Sequence, residues 1–398
     1  MNIPTKKKFI KTQDSGLKTQ DHRVLRLTSY VLCLASCFLF LALVLCSAAE
    51  SDSSIRGAFS FSGFATGVGT RAMGMNGAFA AVSDDSSSAY WNPAGLTLSK
   101  YKELSFTRAD LHDLDLITSN ALNISAPEIT SGAMSFGWTR LSYDFESWHE
   151  DVFLISYAKT ILGGNSTRST RTGRKKQSAF SLSCGATLKY LRQTSKLEIS
   201  PFGGLGDPDI DAVVSGDDSD TSVASQSEDI PSVFCKSKGM GLDLGVLARI
   251  RAKDGRNRFS IGIAVQDAPT VIRWNSGDLE TEEYIPYRYK AGCSLEPLPR
   301  LTIAFDAVGE ENVKLKELHF GVEHWIFPIT AAAPGLPISE KNLAIRGGIA
   351  KQLSASKRIT FAGGLGIRWS SWQLDYAYLM DSSGLGDTRS RFSVSVRF

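Results

Sequence analysis

The sequence predicts an all-β fold: an antiparallel β-barrel whose strands cross a membrane. Three observations carry that expectation. From Lys102 to the end the dominant pattern is period two, with one face apolar and the other small or polar. Many of the alternating segments exceed ten residues, longer than ordinary sheet strands and matched to the roughly nine to eleven residues that cross a bilayer obliquely. The polar face is built from Gly, Ser, Ala, Thr, Asp and Arg rather than from water-facing Lys and Glu, as suits a barrel lumen.

Taken along the chain, the alternating segments are 102–109, 132–142, 151–159, 180–190, 240–250, 259–266, 286–296, 301–306, 318–324, 343–349, 359–369, 372–378 and 392–398. They make about thirteen strands. In one of them Phe259, Ile261, Ile263 and Val265 alternate with Ser260, Gly262, Ala264 and Gln266. Aromatic residues gather at strand ends (Trp325, Trp369, Trp372, Tyr376 and Tyr378), where interfacial girdles belong. Residues 193–237, with three glycines near Gly203 and the acidic group Asp217, Asp218 and Asp220, are expected to be a loop insertion. The basic break at 165–177 and the Pro/Ala stretch at 328–337 are expected to be solvated connections.

Composition excludes several classes. With 42% hydrophobic and 21% charged residues, the chain of 398 residues is too polar for a bundle of membrane helices and too apolar for a disordered chain. The 35 glycines and 10% aromatic residues favour many short strands and turns over long helices. The net charge of +3 is concentrated at the start: residues 1–49 balance at +5, leaving −2 for the remainder, so no basic face argues for nucleic acid.

That same start reads as an export signal, 1–49, with a basic stretch ending at Arg26, an apolar run from Ser29 to Cys46, and small residues placing cleavage after Ala49. Leu34-Ala35-Ser36-Cys37 matches a lipoprotein box only by coincidence, because the apolar run continues after it. Cys184, Cys235 and Cys293 remain beyond the signal, odd in number and widely spaced. They give neither a disulfide framework nor a metal site.

Residues 50–100 do not alternate. Gly67, Gly69, Gly74 and Gly77 allow close packing, Asp84 and Asp85 can start a short helix through Ser88 and Tyr90, and Pro93 forces Asn92 out of helical geometry. Gly95 then turns the chain into the first strand. The run Arg71-Ala72-Met73-Gly74-Met75-Asn76-Gly77-Ala78-Phe79, the pair Asp84-Asp85 and the motif Tyr90-Trp91-Asn92-Pro93-Ala94-Gly95-Leu96 resemble the N-terminal signature of the FadL/PorV-like family of bacterial outer-membrane β-barrels. Residues 372–379, 384–387 and 391–398 resemble that family's last hairpin.

The resemblance implies a barrel of about fourteen strands, 101–398, plugged by an N-terminal hatch, 50–100, to which Asn92, Pro93 and Ala94 belong. It implies passive uptake of hydrophobic compounds such as long-chain fatty acids through a monomer in the outer membrane, with outer-membrane lipids and the barrel assembly machinery as partners. Phe392, Val394, Val396 and the terminal Phe398 would be the assembly signal. A second role within the family is shuttling or anchoring of secreted proteins at the outer membrane.

The chemical motifs add little. Gly67-Val68-Gly69-Thr70-Arg71-Ala72 fits a dinucleotide pattern but has no βαβ unit around it. Asp306, His319 and Glu323 share the polar face of neighbouring strands and could orient a base in an outer-membrane lipid-modifying enzyme, yet no nucleophile accompanies them. No enzyme, cofactor or metal is expected.

Overall fold

The computed structural model describes residues 67–398 except 112–116, 129–131, 144–147, 164–178, 199–231, 252–256, 277–278, 312, 327–342, 354–357 and 383–388. The export signal, the first part of the hatch, the basic break at 165–177, the connection at 328–337, most of the loop insertion and residues 384–387 lie outside the described residues.

Sixteen strands are described. They are β1 Glu103–Asp110, β2 Ile117–Ala126, β3 Ala133–Tyr143, β4 Trp148–Leu162, β5 Phe180–Glu198, β6 Ser232–Arg251, β7 Asn257–Gln266 and β8 Thr270–Ser276. The chain continues through β9 Leu279–Ile285, β10 Arg288–Leu298, β11 Leu301–Glu310, β12 Val313–Ile326, β13 Leu343–Gln352, β14 Ile359–Trp369, β15 Trp372–Asp381 and β16 Arg389–Arg397. Fourteen of them form a closed antiparallel ring. β1 to β7 follow one another, β10 pairs with β7, β10 to β16 complete the circuit, and β16 pairs with β1. Closure leaves the ring without an unpaired edge, as lipid demands of a spanning sheet.

The hairpin β8–β9 lies outside the ring and pairs with Lys236–Gly241 at the start of β6. At one end of the barrel, called the lower end, Lys102 and Phe398 exchange backbone hydrogen bonds of 3.2 and 3.0 Å. The hairpin lies toward the opposite, upper end.

The thirteen expected segments are all strands. The fourteenth, β2, escaped because its outward side chains run Thr118, Asn120, Leu122 and Ile124, so half of that face is polar and the period is weak. Two boundaries also differ. Residues 193–198 and 232–237 of the expected loop continue the β5–β6 ladder. Trp325 is buried on the inward face rather than in a girdle, stacked under the guanidinium groups of Arg346 and Arg368.

Alternation is strict where it matters. Leu104 and Phe106 face out while Ser105 and Thr107 face in, and Ile261 and Ile263 face out while Ser260, Gly262 and Ala264 face in. On β5 the outward apolar run spans 180–190, about 33 Å along the strand, or about 25 Å at the usual tilt, the height of a lipid-facing band. The apolar core is inside the ring. It is built from Val68, Met75, Phe79, Tyr90 and Trp91 with wall residues such as Leu154, Leu191 and Leu379.

Candidate functional site

Residues 67–98 hold three short elements: α1 Thr70–Gly74, α2 Ser88–Trp91 and a 3-10 turn Pro93–Leu98. None is long enough to stand alone in water, so tertiary contacts must hold them. Those contacts come from inward-facing residues of strands around the ring.

Local chemistry sets the shape. Gly67, Gly69 and Gly77 all have φ near +80°, a region that side-chain-bearing residues rarely adopt. Asp85 Oδ1 accepts from the Ser87 N–H and hydroxyl, and Ser88 donates to the Asp85 carbonyl, which starts α2 as expected. Asn92 is extended (φ −161°), as its proline neighbour requires, and its Oδ1 accepts from the Ala94 N–H to cap the 3-10 turn. Gly95 departs from expectation. It sits inside that turn rather than at its exit, and it is needed because a Cβ there would lie 2.2 Å from the Ser83 carbonyl oxygen.

The wall grips this segment through polar groups. Arg71 donates two bonds to Glu323 of β12 (2.7 and 2.8 Å), one to Asp85 (3.2 Å) and one to Asp84, and lies over the Phe79 ring. Glu323 also accepts from Arg346 (2.8 Å), which donates to Asp375 (2.7 Å), so one ionic chain links the segment to β12, β13 and β15. Burial alone would lower the Arg71 pKa, but Asp84, Glu323 and Asp85 outweigh it and hold the guanidinium charged, well above its ordinary value. Burial raises the Asp85 pKa despite Arg71.

Asp306 accepts from the Phe79 and Ala80 N–H groups (2.8 and 2.7 Å), and His319 Nδ1 lies 2.6 Å from the Asn76 carbonyl. The Asp/His pair noted in the sequence therefore holds the segment. Asn92 Nδ2 donates to Ala80 and to Val246 of β6, Trp91 Nε1 donates to Val68, and Arg391 donates to the Gly67 carbonyl (2.7 Å). Pro93 and Ala94 pack on the bare backbone of Gly185, and Gly74 on Gly364.

The expected gating residues thus meet in one unit, largely buried with Asp84 exposed, whereas Phe392, Val394, Val396 and Phe398 lie on the outward face of β16 and its end. Arg346, Asp375, Arg391 and the gripping role of Asp306 were not singled out beforehand. The available signal is a formal charge on the small-residue face of a barrel strand, which a polar lumen alone also explains.

Above the segment, toward the upper end, is a cavity of about 350 Å³. Its apolar lining includes Tyr90, Trp91, Leu191, Ile285, Val308 and Leu379. Arg288 and Lys290 also line it, as do the carboxylates Asp267, Glu310, Glu317 and Asp381. Arg288 Nε is buried with no hydrogen-bond partner, and the buried Lys290 ammonium lies 5.0 and 4.3 Å from the Tyr90 and Trp91 rings, with no carboxylate in ion-pair contact among the described residues. Burial pushes the Tyr90 phenol up to about 12.

No protein-family model and no curated protein matches the sequence. Among solved structures the chain is similar to a Pseudomonas aeruginosa FadL homologue (13% identity, TM-score 0.45), with 83% of this chain and 98% of that chain covered. It is also similar to the Pseudomonas putida toluene transporter TodX (13% identity, TM-score 0.45, 83% and 99% covered). A third is the Ralstonia pickettii toluene transporter TbuX (12% identity, TM-score 0.41, 83% and 98% covered).

Proposed function

We propose that this protein is an outer-membrane channel that admits hydrophobic molecules carrying a carboxylate, long-chain fatty acids above all, and that residues 67–98 are its gate. The observation that carries the reading is the cavity: a pocket of mixed apolar and charged lining at the low end of the usual ligand-site range, where Arg288, whose Nε has no hydrogen-bond partner, and Lys290, held on the Tyr90 and Trp91 rings, stand beside apolar side chains. A buried donor left without a hydrogen bond is costly, and an incoming carboxylate would satisfy it. A neutral hydrocarbon would not.

Binding and gating share residues. A carboxylate that draws Lys290 away from the Tyr90 and Trp91 rings acts on the end of α2, and Trp91 is tied to Val68 at the start of the segment. A ligand that binds more tightly to one arrangement of the segment than to the other shifts its population, with no energy input beyond that difference. Transport is then diffusion down a gradient.

Lipid extraction and mass spectrometry of the purified, folded protein test this reading. Fatty acid is expected from the wild type and at least tenfold less from the R288Q/K290Q variant, the loss expected for a charge-assisted contact. Recovery of neutral hydrocarbon alone, or equal fatty acid from both proteins, would contradict it.

A further inference from the structure

The outward wall carries a second pattern at its upper boundary. Cross-strand register places Arg108, Arg140, Asp151, Arg192, Lys238 and Arg273 side by side at one height across β1 to β8, with Asn120 of β2 between the first two. One register step below lie Phe106, Trp138, Phe153, Tyr190, Met240 and, on β9, Tyr284. The lipid-facing apolar band therefore ends in an aromatic row and passes at once into a basic one. Within that row Arg140 is paired with Asp151 (2.8 Å), and Arg273 with Glu282 of β9 (2.8 Å).

Arg192 and Lys238 make no ion pair among the described residues, and they are direct cross-strand partners. Lys238 is also opposite Arg273, and Lys236 lies one step above it. Like charges directly opposite one another destabilise a ladder unless something neutralises them. All of these cations are exposed on the outer surface.

We infer that the upper outer wall of β5, β6 and β8 binds the phosphate groups of a phosphorylated glycolipid of the surrounding leaflet. The geometry favours a lipid over a soluble anion or a protein. The cations form one row at headgroup height, continuous with the aromatic and acyl-facing tiers, so one molecule would lay its chains on Tyr190 and Met240 and its phosphates on Arg192, Lys238 and Arg273. The inference rests on the membrane-spanning reading of the barrel but not on the identity of the transported ligand.

The test is a titration of the purified, folded protein in neutral detergent with bisphosphorylated lipid A, its dephosphorylated form and phosphatidylglycerol, read by native mass spectrometry. At roughly 1 kcal/mol per cation near a lipid phosphate, the R192Q/K238Q variant should bind lipid A about thirtyfold more weakly. The charge-conserving R192K/K238R variant should stay within about threefold of the wild type. Dephosphorylated lipid and phosphatidylglycerol should both bind the wild type more weakly than lipid A. R192Q/K238Q binding at wild-type affinity, or a wild type indifferent to phosphate or to the lipid carrying it, would overturn the assignment. Fatty acid extracted from the same samples should not change, because Arg192 and Lys238 face away from the cavity. That readout separates failure of this site from failure of the channel reading.

Discussion

Replacing Arg71 with glutamine removes the cation that joins the N-terminal segment to the wall. Four hydrogen bonds end at its guanidinium, two of them on Glu323, whose side chain is 2% exposed. Removing one partner of such a buried pair costs about 3–5 kcal/mol. Glu323 keeps its bond from Arg346, so the lower figure applies, and about 3 kcal/mol is roughly a 150-fold change in the equilibrium for release of the segment. The fourteen-stranded ladder contains none of these bonds and should survive. Heat-modifiable gel mobility should therefore be unchanged. Amide-exchange protection within residues 67–98 should fall about 150-fold in R71Q, and further in E323Q, which leaves two arginines facing a neutral amide. The double variant should lose at least ~1 kcal/mol less than the sum of the two, because each side chain's cost arises from the other. Protection within threefold of the wild type in R71Q, or strict additivity, would refute the reasoning.

Other consequences follow from the same contacts. Asn92→Ala breaks the bonds to Ala80, Val246 and Ala94, and should lower segment protection about thirtyfold, or ~2 kcal/mol, in the same exchange experiment. Gly262→Ala puts a Cβ 2.1 Å from the Ala80 carbonyl oxygen and should raise ion conductance in planar bilayers, whereas Gly347→Ala, with open space around it, should not. For Tyr90, a phenol with a folded pKa of about 12 against about 10 when unfolded binds its proton more tightly in the folded state. Its contribution to stability should be intact below pH 10 and be lost, ~3 kcal/mol in all, as pH rises through 12, and a phenolate absorbance step near pH 12 should vanish in Y90F.

Much of the barrel was legible because lipid outside and polar groups inside impose alternation on each strand, as in 259–266. β2 escaped where the outward face turns polar, and the β8–β9 hairpin because it leaves the wall at Asp267 and pairs only with the upper part of β6. In the N-terminal segment, Asn92-Pro93 and Asp84-Asp85 announced their turns through local chemistry that needs no partner to be recognised. The grip of Asp306 on two backbone amides and the Arg71–Glu323 pair depend on residues 226 or more positions apart meeting inside a closed ring, which periodicity does not encode. Arg288 and Lys290 were hidden for a related reason. Their significance lies in the unsatisfied Arg288 Nε and in the rings that hold Lys290, and both are visible only once the surroundings are fixed.

Flux and conductance measured on one reconstituted preparation test the gate and the channel together. The wild type should pass labelled long-chain fatty acid with little ion conductance, since residues 67–98 pack against the wall on several sides. A variant lacking residues 67–98 that still forms a heat-modifiable barrel should conduct ions and lose discrimination for the carboxylated ligand. A folded deletion variant with wild-type flux and wild-type conductance would contradict the account.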